Sequence, residues 1–331
     1  LLTRQDVLPA GQSSVADWYA IAMARCGISE DYETYLAALK TYVESAYAEN
    51  GGLSANKATE WHRVALAVTA LGGDAAAFGT KPDGTVIDLI ADGCYDCVVE
   101  GGPGAQGLNG WIFALLALDA GGYQAPEGAR YTRETIIEAI VSAQGEDGGF
   151  SLTGDALDAD ITAMALQALA PYADGQAEVI DRALAALSAA QCADGGFASW
   201  GAENAESTAQ VVMALCALGI DPAADERFCK EGGSAVTALL GFRVEDGRFA
   251  HVGGTSDAMA SEQGLQALEA LRRFYAGEKR FFDMTDAGAP VQWTADSAAA
   301  EETAGVPAAV YMAAGAAVVV AAGIVIVRKG R

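Results

Sequence analysis

Basic residues are scarce in this chain: 20 Lys and Arg stand against 44 Asp and Glu, a net charge of −24 over 331 residues. Binding to a phosphate backbone needs clustered cations, so this balance excludes a nucleic-acid partner. Histidine is scarcer still, with His62 and His251 alone. Those two, far apart and joined by one Cys-x-x-Cys pair (Cys94 and Cys97), make a poor zinc set, and no metal site is expected. Proline is rare, 8 residues against 39 glycines, which fits packed helices joined by Gly-rich turns. Six cysteines allow 15 pairings outside a cell. Cys26 and Cys216 fall on apolar helix faces and are expected as buried thiols.

What the chain has in abundance is alanine, arranged in a repeat. Six stretches share an Ala-Leu core: 17–28, 60–72, 110–121, 158–172, 207–219 and 261–271. Anchored on Ala22, Ala67, Ala114, Ala165, Ala214 and Ala267, they recur at steps of 45, 47, 51, 49 and 53 residues. Such a period marks a repeat architecture in which no unit buries its apolar face alone. Five amphipathic helices are predicted between them, over 32–48, 86–99, 132–144, 177–191 and 233–242. In the third, Ile136, Ile137, Ile140 and Val141 form one apolar stripe. Alternating inner and outer helices predict an all-α fold, a closed ring of six helical hairpins over 1–284.

The links between outer and inner helices repeat as well. Gln144-Gly-Glu-Asp-Gly-Gly-Phe150 is followed by Gln191-Cys-Ala-Asp-Gly-Gly-Phe197, with degenerate copies at 50–53 and 246–249. Asp-Gly-Gly supplies a tight turn with a left-handed glycine, Phe plugs the seam between neighbours, and Gln bonds backbone at the outer helix's end.

After Met284 the pattern stops, and 285–305 reads as a spacer. Val306 to Val327 lacks charge altogether and is followed at once by Arg328, Lys329 and Arg331. Twenty-two residues at ~1.5 Å each cross a bilayer. Its Val and Ile residues supply on the order of 3 kcal/mol of insertion energy. A transmembrane helix is therefore expected over 306–327, with the bilayer as a partner and a cytoplasmic basic tail at 328–331. The bulk of the chain would be extracellular at the cell membrane. Residue 1 is Leu rather than Met, which leaves room for a cleaved signal segment ahead of it.

The Gln-x-x-Asp-Gly-Gly-Phe turns, each followed by an Ala-Leu inner helix, resemble the prenyltransferase and squalene-cyclase repeat. So does the stretch Met259-Ala-Ser-Glu-Gln-Gly-Leu-Gln-Ala-Leu268 with Phe282-Asp-Met284. That superfamily implies an α/α toroid. The look is nearest to membrane- or wall-attached bacterial surface proteins that carry this repeat.

The resemblance also implies candidate chemistry. Asp158-Ala-Asp160-Ile161-Thr162-Ala163 is similar to the Asp-x-Asp-Asp-Thr-Ala motif of terpene cyclases, whose middle Asp protonates an alkene, except that Ile161 replaces the third acid. Without that neighbour, keeping Asp160 protonated and acidic is harder. The zinc set of protein prenyltransferases is not matched, since Asp257–Glu262 carries neither His nor Cys. The Gly-Cys-Gly-Glu-Gln of thioester domains is absent too. Cobalamin transporters add a β domain, and none follows here.

Asp17, Glu60, His62, Asp158, Asp160, Glu206 and Glu262 recur near inner-helix N-termini, which a toroid gathers at one mouth. Acids there complement helix dipoles and also suit a polar rim around a cavity. Trp18, Trp61 and Trp111 sit on inner helices and are candidates to line it. The expected function is a non-catalytic, membrane-anchored binding or adhesion module. Its ligand, a small molecule or a surface protein, would meet Trp18, Trp61, His62, Trp111, Asp158, Asp160 and Glu262. No cofactor is expected. The alternatives are a terpene-cyclase-like enzyme with Asp160 as general acid beside Asp158, and a corrinoid-like cofactor binder.

Overall fold

A computed structural model describes residues 14–152 and 156–288. The expected spacer beyond 288 and the transmembrane segment 306–327 lie outside the described residues. These residues are helix-rich, with four two-residue strands in two small antiparallel pairs. Among them no helix is long and apolar enough to cross a membrane. They divide into two compact units, one taking in 14–146, 150–152, 156 and 282–288, the other 147–149 and 157–281.

In the first unit, α1 (Ser14–Arg25), α3 (Thr59–Ala70) and α4 (Leu108–Ala120) are inner helices, α3 packing against both α1 and α4. The outer helix α2 (Tyr32–Asn50) starts where the Asp31 side chain accepts from Thr34 N and stops at Gly51 with φ 75°. It is tied inward through Tyr35 and Tyr47, whose hydroxyls bond Asp17 on α1 and the Trp61 indole on α3. The short outer helix α5 (Arg133–Val141), begun by a Thr132/Thr135 capping box, packs on α4. The segment 282–288 belongs to this unit too. Met284 N donates to Ala120 O at 2.9 Å, and Asp286 pairs with the buried Arg25 at 2.5 Å, so the unit reaches past the Met284 boundary drawn from the sequence.

The second unit repeats the plan. Its inner helices are α6 (Ala159–Leu169), α8 (Ala205–Ala217) and α10 (Ala258–Ala276), with α8 between the other two. Outer helix α7 (Ala177–Ala190) packs on α6, and α9 (Ala235–Gly241) on α8. The hairpin β1 (Ala198–Ser199) and β2 (Ala202–Glu203) precedes α8, and β3 (Cys229–Lys230) and β4 (Gly233–Ser234) precede α9.

All six anchor alanines are fully buried at 0% exposure, so each repeat sets its anchor in the core. Their register needs one correction. The caps of α6, α8 and α10 are Asp158, Asn204 and Asp257. Counted from those caps, Ala168 rather than Ala165 is equivalent to Ala214 and Ala267, a shift of about one turn.

The repeated turns behave as their residues dictate. Asp147, Asp194 and Asp246 each accept from the backbone N–H two residues on, and the intervening Gly148, Gly195 and Gly247 have φ of 87°, 99° and 82°. Phe150, Phe197 and Phe249 are buried. Phe197 N donates to Thr208 Oγ1 on α8 and Phe249 N to Ser261 Oγ on α10, each at 3.1 Å, so these two turns are fastened to the inner helices that follow. Gln191 Nε2 donates to Gly195 O and Phe228 O, closing the end of α7 as its position suggested.

Three predicted helices differ. The stretch 86–99 is not an amphipathic helix. Val86 bridges Thr80, Ile87 exchanges backbone hydrogen bonds with Phe78 and Gly79, and Ala91–Tyr95 forms a single π turn. Gly93 sits there against Trp61, where a Cβ would come within 2.5 Å of the Trp61 Cβ. Val86 and Val98 face solvent. The inner helix predicted to run to Tyr172 ends as α-helix at Leu169 and tightens into a 3-10 turn over Ala170–Gly175, because Pro171 removes an N–H and clashes one turn back. The outer helix predicted from Gly233 begins at Ala235, since Gly233 and Ser234 pair as a strand and Ser234 caps it.

Gly110 shows how tightly the first unit is closed. A Cβ there would lie 1.8 Å from Pro103 O, which is backbone and cannot step aside. Gly110→Ala is expected to cost about 1–3 kcal/mol by forcing the Pro103–Gln106 turn away from α4. An unchanged urea midpoint would show that this turn yields freely.

Candidate functional site

The first turns of the second unit's inner helices carry its chemistry. Asp158 caps α6: its Oδ1 accepts from Asp160 N at 2.9 Å and Ile161 N at 3.1 Å. Its Oδ2 accepts from Ser199 Oγ on β1 at 3.3 Å, so both oxygens are engaged. Asp160 on α6 and Glu206 on α8 occupy the same place two residues after their caps. Ser207 follows Glu206, and Glu262 lies one turn deeper along α10.

An amide ladder holds the three helices in register beneath these acids. Gln167 Nε2 on α6 donates to Gln210 Oε1 on α8 at 2.9 Å, and Gln210 Nε2 donates to Gln263 Oε1 on α10 at 3.0 Å. Buried amides that satisfy one another fix geometry, because any slip leaves them unpaired.

Burial sets the electrostatics. It pushes the Asp160 carboxyl up to about 6; the Asp158 and Glu206 carboxylates add to this, and the Ser207 hydroxyl and His251 oppose it. Burial foremost, then the Glu206 charge, pushes Glu262 up to about 8. Gln266 Nε2 donates a short hydrogen bond to Glu262 Oε1. Glu206 Oε2 accepts from His251 Nδ1 at 2.8 Å, and the His251 ring is half exposed. Among the described residues, Asp160 Oδ1 and Ser207 Oγ are buried without a hydrogen-bond partner. Ser207 itself has 0% exposure and lies close enough to act on the Asp160 carboxyl.

Of the residues named from sequence, Asp158, Asp160 and Glu262 thus share one unit and one cluster, with Glu206 linking them. Trp18, Trp61, His62 and Trp111 belong to the first unit. Trp61 is buried, its indole N–H donating to Tyr47 OH at 2.9 Å. His62 is fully buried, its Nε2–H donating to Gly93 O at 2.7 Å, and desolvation lowers its pKa to about 4, so it is a neutral core residue. Trp18 packs on Phe113 at 5.7 Å between centroids, and Trp111 meets Tyr131 edge-on at 5.3 Å. Asp17 is engaged by Tyr35 and Arg63, and Glu60 by Arg63.

Sequence reasoning left out Ser207 and His251. His251 arrives from a loop, and no helical period reports where a loop returns. Among the described residues no group of three or more His, Cys, Asp or Glu side chains is placed to hold a metal ion. Cys94, Cys97 and Cys216 are buried thiols outside any disulfide. No family model matches the chain, and a search of the curated proteins likewise returns no match.

Proposed function

We propose that this chain is a binding module of the prenyltransferase-like toroid kind, tethered to a membrane by 306–327. Its ligand is held at the inner-helix N-termini of the second unit. The observation that carries this is the Asp160–Glu206–Glu262 cluster, with a fully buried Ser207 hydroxyl close to Asp160 and an Asp160 oxygen, Oδ1, that accepts no hydrogen bond. Buried polar atoms are nearly always paired, and those that are not concentrate where another molecule completes them. Helix N-termini held by interlocked amides give such a site a rigid frame.

The test is native mass spectrometry of the full chain released from its membrane in detergent, wild type beside Asp160→Asn. The expected result is a small-molecule mass excess that falls at least ~10-fold in the variant, as losing a hydrogen bond to a charged group implies. Equal loads, or none on either protein, would count against a ligand held at this cluster.

A second reading, an enzyme of the terpene-cyclase class, is favoured by one observation. Asp160 is raised to about 6 and keeps roughly a tenth of its carboxyls protonated at pH 7, the form a general acid needs. Against it, Asp158 has both oxygens committed to capping α6 and to Ser199, and Ile161 stands where a third acid would assist. Turnover of an isoprenoid by the full chain, abolished in Asp160→Asn, would establish the enzyme and displace the binding module.

A further inference from the structure

The β1–β2 hairpin turns through Trp200 and Gly201, with φ of 54° and 83°. Two consecutive left-handed residues make the turn that suits a two-residue hairpin, and Asn or Gly normally takes the first place. A tryptophan there carries roughly 1–2 kcal/mol of backbone strain. Burial does not offset it, because Trp200 is 97% exposed. The hairpin rests on α6 and α8 through β1, and Ser199 bonds the cap of α6. An exposed indole therefore stands at the end of the second unit that carries Asp160 and Glu206.

The chemistry of the cluster narrows what would lie beneath it. Asp158, Asp160, Glu206 and Glu262 are four acids, and His251, hydrogen-bonded to Glu206, is the basic side chain acting on Asp160. Glu262 feels burial and Glu206, with no basic partner among the described residues to offset them. A neutral guest leaves that repulsion in place. A bare metal ion needs convergent ligands, and these side chains do not make a metal-binding group. A cation with an apolar shell meets both demands, since carboxylates take its charge and an indole face attracts it through the ring quadrupole. The Ser207 hydroxyl, buried beside Asp160, adds an oxygen whose lone pairs can turn toward the positive charge.

We propose that this end of the second unit binds an organic ammonium ion between the Trp200 indole and the carboxyls of Asp160, Glu206 and Glu262. The proposal rests on the binding-module function above and specifies its ligand class. Bound positive charge favours the ionised carboxyls, so near pH 7 binding releases protons from Asp160 and Glu262.

The test titrates the full chain with choline and with its neutral isostere 3,3-dimethylbutan-1-ol, reading tryptophan fluorescence and proton release. Choline is expected to bind at least ~10-fold more tightly than the alcohol, as a desolvated cation–π contact implies. Proton uptake by the buffer should accompany it, and Trp200→Ala should weaken it by about tenfold. Trp200 is exposed, so that variant keeps the fold; the urea midpoint checks this. Equal affinity for the alcohol would overturn the ammonium ion while leaving a Trp200-dependent site. No choline binding would overturn the ammonium ion outright. The binding module then stands or falls separately, on whether Asp160→Asn loses its co-purifying mass.

Discussion

Glu262→Gln is expected to stabilise the ligand-free protein at alkaline pH and to do little at acid pH. The wild-type carboxyl is raised to about 8 in the fold by burial and by Glu206, against about 4.3 in an unfolded chain. Between those values the folded state holds a proton that the unfolded state has released, so stability falls as pH rises. The protonated carboxyl's advantage is fully present below pH ~4.3 and is lost as pH rises through ~8, a change of about 5 kcal/mol. Glutamine has no proton to lose and keeps the carbonyl that accepts from Gln266. Urea midpoints of the two proteins should nearly coincide at pH 5 and separate progressively towards pH 9, the variant being the more stable. A separation that does not change with pH would mean that Glu262 does not titrate in this window.

The second large effect lies in the first unit. Asp17 has 0% exposure, accepting from Tyr35 OH and Arg63 Nε, each at 2.7 Å, and Arg63 also pairs with Glu60 at 2.8 Å. Burial outweighs these partners and raises the Asp17 carboxyl even with Arg63 in place. Arg63→Met strands that carboxyl among apolar neighbours, and a loss of about 3–5 kcal/mol is expected at neutral pH. Removing the cation raises the Asp17 pKa further, so the loss should shrink as pH falls and the acid is neutralised. Adding Asp17→Asn should recover most of it, because the cost is an unpaired buried charge more than a missing contact. A double variant no more stable than Arg63→Met would place the cost in lost packing of the Arg63 stem.

The inner helices were legible because their signal is local: small residues at helical spacing, with a capping acid at α6 and α10 and an Asp-Gly-Gly-Phe turn ahead of α6 and α8. Asp158, Asp194 and Phe197 do what their types imply whatever surrounds them. The stretch 86–99 was misread because its apolar spacing also suits an extended segment, and Gly93 is glycine to admit Trp61 rather than to flex. His62 read as a rim residue because its place at a helix start is visible in sequence, while the Gly93 carbonyl that covers it is not. The acid cluster was half legible. Asp158, Asp160 and Glu262 came from the helix pattern, whereas His251 reaches it along a loop that carries no period.

The first unit is also discontinuous in sequence, and this orders events on the ribosome. Arg25 waits for Asp286, 261 residues downstream. At about 5–20 residues per second, synthesis separates these partners by roughly 13–52 s. For that interval the Arg25–Asp286 contact cannot form, while the residues of the second unit are being made. A chain ending before residue 282 should therefore leave the first unit more open to protease than one that runs through residue 288.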